Sequence, residues 1–208
     1  MKAFPNRAGF TLLELLVVIV ILSILAALAT VGVNAALSAS RANSTEAMIG
    51  TISGALASYR TRWGDYPPSS VDGLGGRAPN EINNGIEALV ACLSSRKRGG
   101  VLYQPPGDES FGNTDRDKAS ANLTDWYFGD NELREYRDFF GFTLIYLHHR
   151  DYARPRPAVL KYRLTEDGEE LTVAPEQSSA TKTFVNPDRF QLRSVGGDGK
   201  PGTSDDIR

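Results

Sequence analysis

The stretch that decides the reading is Gly9-Phe10-Thr11-Leu12-Leu13-Glu14, followed without a break by LLVVIVILSILAALATVGV from Leu15 to Val33. Glu14 is the one ionisable side chain between Leu12 and Val33, and the next charge is Arg41. The uncharged run from Leu15 to Ser40 is 26 residues long. As a helix it measures about 39 Å, enough to cross a bilayer core of about 30 Å. Lys2 and Arg7 precede it, so the positive-inside bias leaves the first residues in the cytoplasm and sends the remainder outward. A cleaved secretory signal has an apolar core of only about 7–15 residues. A plain anchor fits the length, but Glu14 at mid-bilayer would cost about 2.5–3.5 kcal/mol, and less near the interface. An acid placed there implies a function and a partner.

The segment Gly9-Phe10-Thr11-Leu12-Leu13-Glu14, led by a short basic segment and followed by the apolar run, resembles the N-terminus of class III prepilins. These are the type IV pilins and the pseudopilins of type II secretion. The resemblance implies cleavage after Gly9 by a membrane prepilin peptidase and N-methylation of the new terminal Phe10. Residues 1–9 are then a leader peptide, and Glu14 takes the family's acidic position. In a growing filament Glu14 of one subunit would pair with the N-terminal amine of its neighbour. Either charge left alone in lipid costs several kcal/mol, so the pair favours one vertical stagger of subunits.

Beyond the transmembrane and filament-core segment, residues 10–33, the sequence stays helical and turns amphipathic over residues 34–63. Met48, Ile52, Ala55 and Tyr59 recur at spacings of three and four with Leu56 beside them, while Glu46, Ser53, Ser58 and Arg60 fall mostly elsewhere on the wheel. The pattern predicts one helix from Phe10 to about Arg62, packed on a globular domain by that stripe. Trp63-Gly64-Asp65-Tyr66-Pro67-Pro68 ends it. Gly32, Gly50 and Gly54 are its weak points, each costing about 1 kcal/mol relative to alanine.

Residues 64–208 read as a globular domain. Gly64-Asp65-Tyr66-Pro67-Pro68 with Gly85-Ile86-Glu87-Ala88-Leu89-Val90 is similar to the segment that follows the main helix in major pseudopilins. A short helix is expected at Ile86–Leu93 and mainly loop between Gly99 and Asp130. Strands are expected at Phe142–His148, Ala158–Leu164, Leu171–Val173 and Phe190–Val195, with Thr165-Glu166-Asp167-Gly168 as a hairpin turn. Helix first and antiparallel strands after it is an α+β pattern. The whole is expected to be type IV pilin-like: a long N-terminal helix on a small antiparallel sheet. His148 and His149, adjacent at a strand end, are expected on opposite faces and therefore not in one metal site. Cys92, among Leu89, Val90 and Leu93, reads as a small core residue. Asn43-Ser44-Thr45 and Asn122-Leu123-Thr124 match the glycosylation sequon by chance composition.

Near the other end, Ser194-Val195-Gly196-Gly197-Asp198-Gly199-Lys200-Pro201-Gly202-Thr203-Ser204-Asp205-Asp206-Ile207 is acidic and rich in glycine. Calcium takes six to eight hard oxygens at about 2.3–2.6 Å from a chain able to curl tightly. Asp198 and Asp205–Asp206 place carboxylates at both ends of a loop that Gly199, Pro201 and Gly202 bend. The spacing is neither an EF-hand nor a phosphate-binding loop, and composition by itself allows a mobile acidic tail. The stretch resembles the calcium loop of type II secretion major pseudopilins. That resemblance implies Asp198 and Asp205 as side-chain ligands, backbone oxygens near Val195 and Thr203 to complete the shell, and Asp206 as a lesser candidate. Without the ion the carboxylates would repel and the loop would fray.

Of the 208 residues 41% are hydrophobic, the formal charge is −2 and the mean hydropathy is −0.28. These values argue against general disorder, a polytopic membrane protein and a basic nucleic-acid-binding surface. One cysteine excludes an intramolecular disulfide, and with it the disulfide loop that many type IV pilins close. Asp65, Asp108, Asp115 and Asp117 have no expected His, Ser or Cys company for acid–base or nucleophilic chemistry. The expectation is a non-enzymatic subunit of the type II secretion pseudopilus, anchored in the inner membrane with a periplasmic globular domain. Its expected partners are copies of itself, other pseudopilins, prepilin peptidase, the inner-membrane assembly platform and lipid, and its expected cofactor is calcium. A type IV pilin or minor pilin serving adhesion, motility or DNA uptake is the alternative.

Overall fold

The computed structural model describes residues 10–75, 77–95, 100–120, 131–153 and 160–208. The leader expected at residues 1–9, with Gly9, lies outside the described residues, as do the sequon at Asn122 and the start of the strand expected from Ala158. Two compact units make up the chain, Met1–Ser40 and Arg41–Arg208.

Helix α1 runs Leu12–Trp63, two residues later at its start and one later at its end than the periodicity predicts. Its first turn is a capping box: the Thr11 amide and hydroxyl both donate to Glu14 Oε2, at 2.9 and 2.8 Å, and the Glu14 amide donates back to Thr11 Oγ1 at 3.2 Å. Among the described residues of the first unit the apolar side chains are exposed; Leu15, Ile24 and Leu28 are all more than half exposed. This part of α1 is long and apolar enough to cross a membrane. The chain leaves the helix at Gly64 (φ 82°), whose amide donates to Arg60 O at 2.8 Å.

In the second unit, Met48, Ile52, Ala55, Leu56 and Tyr59 are all buried, joined by Thr45 and Ile49, while Glu46, Ser58 and Arg60 are exposed. The stripe is the α1 contribution to the core. Helix α2, Asn84–Ser94, is buried over Gly85–Ser94 and packs on strands from three separate ribbons. Strands β1 (Phe111–Gly112) and β2 (Glu135–Tyr136) pair antiparallel with Phe111 opposite Tyr136. β3 (Ile145–His148) pairs antiparallel with β6 (Phe190–Arg193), Tyr146 opposite Leu192. β4 (Leu160–Arg163) and β5 (Glu170–Val173) form the hairpin expected around Thr165–Gly168, closed by Gly168 N–H donating to Thr165 O at 3.0 Å.

The expected strands are present: β3 and β6 are shorter than expected, β5 begins one residue earlier, and β4 ends one residue earlier with its expected start outside the described residues. β3 starts at Ile145 because Thr143 bridges Arg137 instead of β6, and β6 stops at Arg193 because Ser194 turns to pair with Ile207. The expectation of mainly loop between Gly99 and Asp130 misses β1 and the 3-10 turn Asp108–Ser110 before it. Two residues of strand leave no alternation to detect.

Four tyrosines, Tyr136, Tyr146, Tyr152 and Tyr162, are among the largest fully buried side chains. Their hydroxyls have partners: Tyr146 donates to Pro67 O (2.6 Å), Tyr162 to Tyr146 O (3.0 Å), and Tyr136 shares a 2.7 Å bond with Ser94. A buried hydroxyl without one would be costly. Gly85 makes this arrangement feasible, since a Cβ there would sit 2.5 Å from Tyr146 O. Leu56 has no exposed surface, so Leu56→Ala should cost about 2–5 kcal/mol. The exposed Ser58→Ala should stay within about 0.5 kcal/mol. Denaturant unfolding of the detergent-solubilised full chain measures both.

Candidate functional site

Three groups of side chains have a chemistry that packing does not require. The first is the start of α1. Phe10 is exposed at 77%, and the Glu14 carboxylate four residues on is engaged by Thr11 in the same chain. Thr11-x-x-Glu14 is the capping-box pattern, so this local partner was legible in the sequence although the intermolecular reading overshadowed it.

The second group is the loop 194–207. Ser194 and Ile207 close its base with two backbone hydrogen bonds, 2.9 and 3.1 Å, so the segment is a tied loop. Asp138, buried and absent from the sequence reading, anchors it. One of its oxygens accepts from the Ser194 hydroxyl and the other from the amides of Phe140 and Phe142, each at 2.9 Å. Burial pushes the Asp138 carboxyl up, opposed by those donors.

Of the residues expected around an ion, Asp198 and Asp205 are exposed, Thr203 is half-buried, and Val195 and Asp206 are buried. Asp205 Oδ2 accepts from Asp198 N at 3.0 Å and its Oδ1 from the Thr203 hydroxyl; these bonds hold the carboxyl below its ordinary range. Asp206 Oδ2 accepts from Gly202 N at 2.9 Å, while its buried Oδ1 has no partner. Gly196 (φ 66°) leaves the space at the Asp205 backbone and carboxylate open, since a Cβ would meet Asp205 Oδ2 at 2.6 Å.

The third group was not assembled by sequence reasoning, although Asp115 and Asp117 were noted as acids. Glu87 on α2, Asp115 and Asp117 in the turn after β1, and Glu135 on β2 converge inside the domain. One oxygen from each of Glu87, Asp115 and Glu135 lies within 4.8 Å of the others. Asn80 donates to Asp115 Oδ2 (2.7 Å) and Asp117 Oδ2 (3.2 Å). Asn83 donates to Glu135 Oε1 at 2.8 Å, and the Thr114 amide reaches both Glu135 oxygens at 3.1 and 3.2 Å. Burial, then mutual repulsion, raises Glu87 well above its usual range and Asp117 to about 8; Glu135 rises to about 7, chiefly by burial. Nothing in the spacing of residues 87, 115, 117 and 135 announces this meeting, which the packing of α2 on β2 creates.

The histidines require a correction. His148 ends β3, but His149 begins a 3-10 turn, His149–Asp151, so strand alternation no longer separates them and their rings lie 4.5 Å apart. Both approach Asp65, an acid for which no histidine company was expected. His148 Nε2 is 3.2 Å from Asp65 Oδ1, and its Nδ1 accepts from Arg150 N at 3.0 Å. Arg150 completes the pairing with Asp65 at 2.9 Å. Both ring nitrogens of His148 are thus engaged. Ser69 Oγ accepts from the His148 backbone amide at 2.6 Å, so its bond to this group is not to the ring.

A carboxyl with a raised folded pKa holds its proton more tightly folded than unfolded. Folding stability therefore falls as pH climbs from the unfolded value of about 4 through the folded values, here about 7 for Glu135 and about 8 for Asp117. In metal-free buffer the melting temperature should decline across that window. Asp117→Asn with Glu135→Gln should flatten the decline, as read by circular dichroism at a series of pH values.

Residues 4–30 match the family model described as the prokaryotic N-terminal methylation motif. No curated protein and no solved structure compared with the chain matches it. The match spans Arg7, Gly9, Phe10, Glu14 and most of the apolar run that α1 then forms. This N-terminus, with the apolar helix behind it, supports a type IV pilin-like protein of the class III prepilin kind, processed by prepilin peptidase and assembled with similar subunits.

Proposed function

We propose that the chain is a non-enzymatic structural subunit of the type II secretion pseudopilus, stored in the inner membrane by α1 and drawn from it into a periplasmic filament. The observation that carries the prepilin part is the methylation motif at residues 4–30 with its acid on the first turn of an apolar helix. Cleavage after Gly9 frees an amine at Phe10. In the single chain Glu14 is held by Thr11; in the filament it exchanges that local partner for the amine of a neighbouring subunit. The amine adds the attraction of a full positive charge to a bond whose acceptor is already ionised, an attraction that grows where lipid excludes water.

The secretion reading over that of a type IV pilin is supported by the C-terminal loop. The reading takes exposed Asp198 and Asp205 as carboxylate ligands with backbone oxygens near Val195 and Thr203, and Asp206 Oδ1, which no donor satisfies, supports it. A hard cation held there would offset the loop's negative charge and tie it to the Asp138 anchor. Loss of the chain should then trap exported proteins in the periplasm and leave surface motility and DNA uptake unchanged; the reverse result would favour the pilin reading.

Mass spectrometry of the protein from its native membrane should find methylated phenylalanine at Phe10 as the first residue, and a chain still beginning at Met1 would overturn the assignment. Glu14→Ala should be processed normally yet fail to enter filaments, read by shearing and immunoblotting. Calorimetric titration should show one calcium ion fewer per chain for Asp198→Ala/Asp205→Ala than for the parent.

A further inference from the structure

The interior carboxylates Glu87, Asp115, Asp117 and Glu135 are remote in sequence from the C-terminal loop and independent of the proposed assembly role. Glu87 is 1% exposed, Glu135 0% and Asp117 8%. Three of these acids are buried and Asp115 is half-buried at their rim, and their donors do not match that number. Asn80, Asn83 and Thr114 serve one oxygen each of Asp115 and Asp117 and both of Glu135. Three buried oxygens are left with no hydrogen-bond partner: Glu87 Oε1, Asp115 Oδ1 and Asp117 Oδ1.

An unsatisfied buried carboxylate oxygen costs several kcal/mol unless a proton or a cation meets it. A neighbouring cationic side chain, Arg163, is insufficient. Arg163 favours the ionised form of Asp115, but its Nη2 is spent on Glu170 at 3.2 Å and its buried Nε makes no hydrogen bond. We propose that these four residues form a divalent-cation site, occupied by calcium, that clasps α2 to the β1–β2 ribbon. The donor set is entirely oxygen and mostly carboxylate, the preference of a hard cation and not of zinc or copper. The Glu87, Asp115 and Glu135 oxygens lie within 4.8 Å of one another, no farther apart than two ligands facing each other across a calcium ion with bonds of about 2.4 Å.

The positioning groups are in place. Asn83 opens α2 in a left-handed conformation (φ 54°), which turns its side chain onto Glu135 Oε1, Thr114 Oγ1 at 2.6 Å and Arg163 O at 3.1 Å. Arg116, also left-handed (φ 61°), sits between Asp115 and Asp117, and Asn113 clasps the same turn: its Nδ2 donates to Asp117 O (2.9 Å) and its Oδ1 accepts from Asp117 N (3.0 Å). Asp115 is only half-buried, which gives an ion its way in.

The test uses full-length protein in detergent with Asp198→Ala/Asp205→Ala in place, so that the loop contributes no calcium. Calorimetric titration with calcium chloride should still find one ion per chain, and a hundred-fold excess over the Kd should raise the melting temperature by about 5–10 °C. Adding Glu87→Gln and Asp117→Asn should abolish both responses while raising the melting temperature in chelator, because the repulsion is gone. Asp115→Asn, at the half-buried rim, is the gentler variant and should weaken calcium several-fold without loss of fold. No calcium binding in the loop-deficient background would overturn the proposal and leave shared protons as the occupants. Binding that survives the Glu87→Gln/Asp117→Asn pair would overturn it too, by placing the ion elsewhere.

Discussion

A carboxylate taken out of water has to be met by donors, by protons or by a cation, and this requirement governs the molecule from end to end. Glu14 lies at the head of an apolar helix and is met locally by the amide and hydroxyl of Thr11. Asp138 is met by Ser194, Phe140 and Phe142. Glu87, Asp115 and Asp117 are not fully met by anything the chain provides. Each acid sits where a hydrophobic residue would have cost less, so each indicates a job that apolar packing could not do.

The two units divide that work. In the first, side chains that would be core residues in a soluble domain are bare along α1, and the only environments that suit them are lipid and the equivalent surfaces of other subunits. The second carries its own core, with the buried stripe of α1 on one side and α2 laid over three small ribbons. Among the described residues no ribbon has more than two strands, and such isolated hairpins are marginal in water. They persist because buried tyrosines and polar side chains tie each ribbon to a helix or to its neighbours, as Tyr136 does to Ser94, and Asn83 to Glu135 and Arg163. A fold held by such ties, without a broad sheet, has reason to recruit a cation for one more.

Charge placement also connects architecture to the proposed assembly. The capping box keeps Glu14 satisfied before any partner arrives, so a subunit can wait in the membrane without an orphaned acid. In the proposed filament, exchange of Thr11 for a neighbour's amine would replace a bond already made and add the attraction of a full positive charge.

The sequence by itself determined the prepilin N-terminus, the long helix, its buried stripe, its end at Gly64, the α2 helix and the β4–β5 hairpin. Each is written in neighbouring residues: an acid on an apolar run, periods of three and four, glycine before paired prolines, a turn between strands. The candidate calcium loop was legible on the same grounds, since its acids and glycines lie within fourteen residues of one another. Tertiary structure alone decided what depends on distant segments meeting. It shortened β3 and β6 through competing bridges at Thr143 and Ser194, and it revealed β1 and β2, too short to carry a period. It brought His149 beside His148 by ending the strand between them, and it gathered Glu87, Asp115, Asp117 and Glu135 from three elements. Local patterns record what a residue does to its own backbone; the cost of burying a charge is set by whatever else the fold puts beside it.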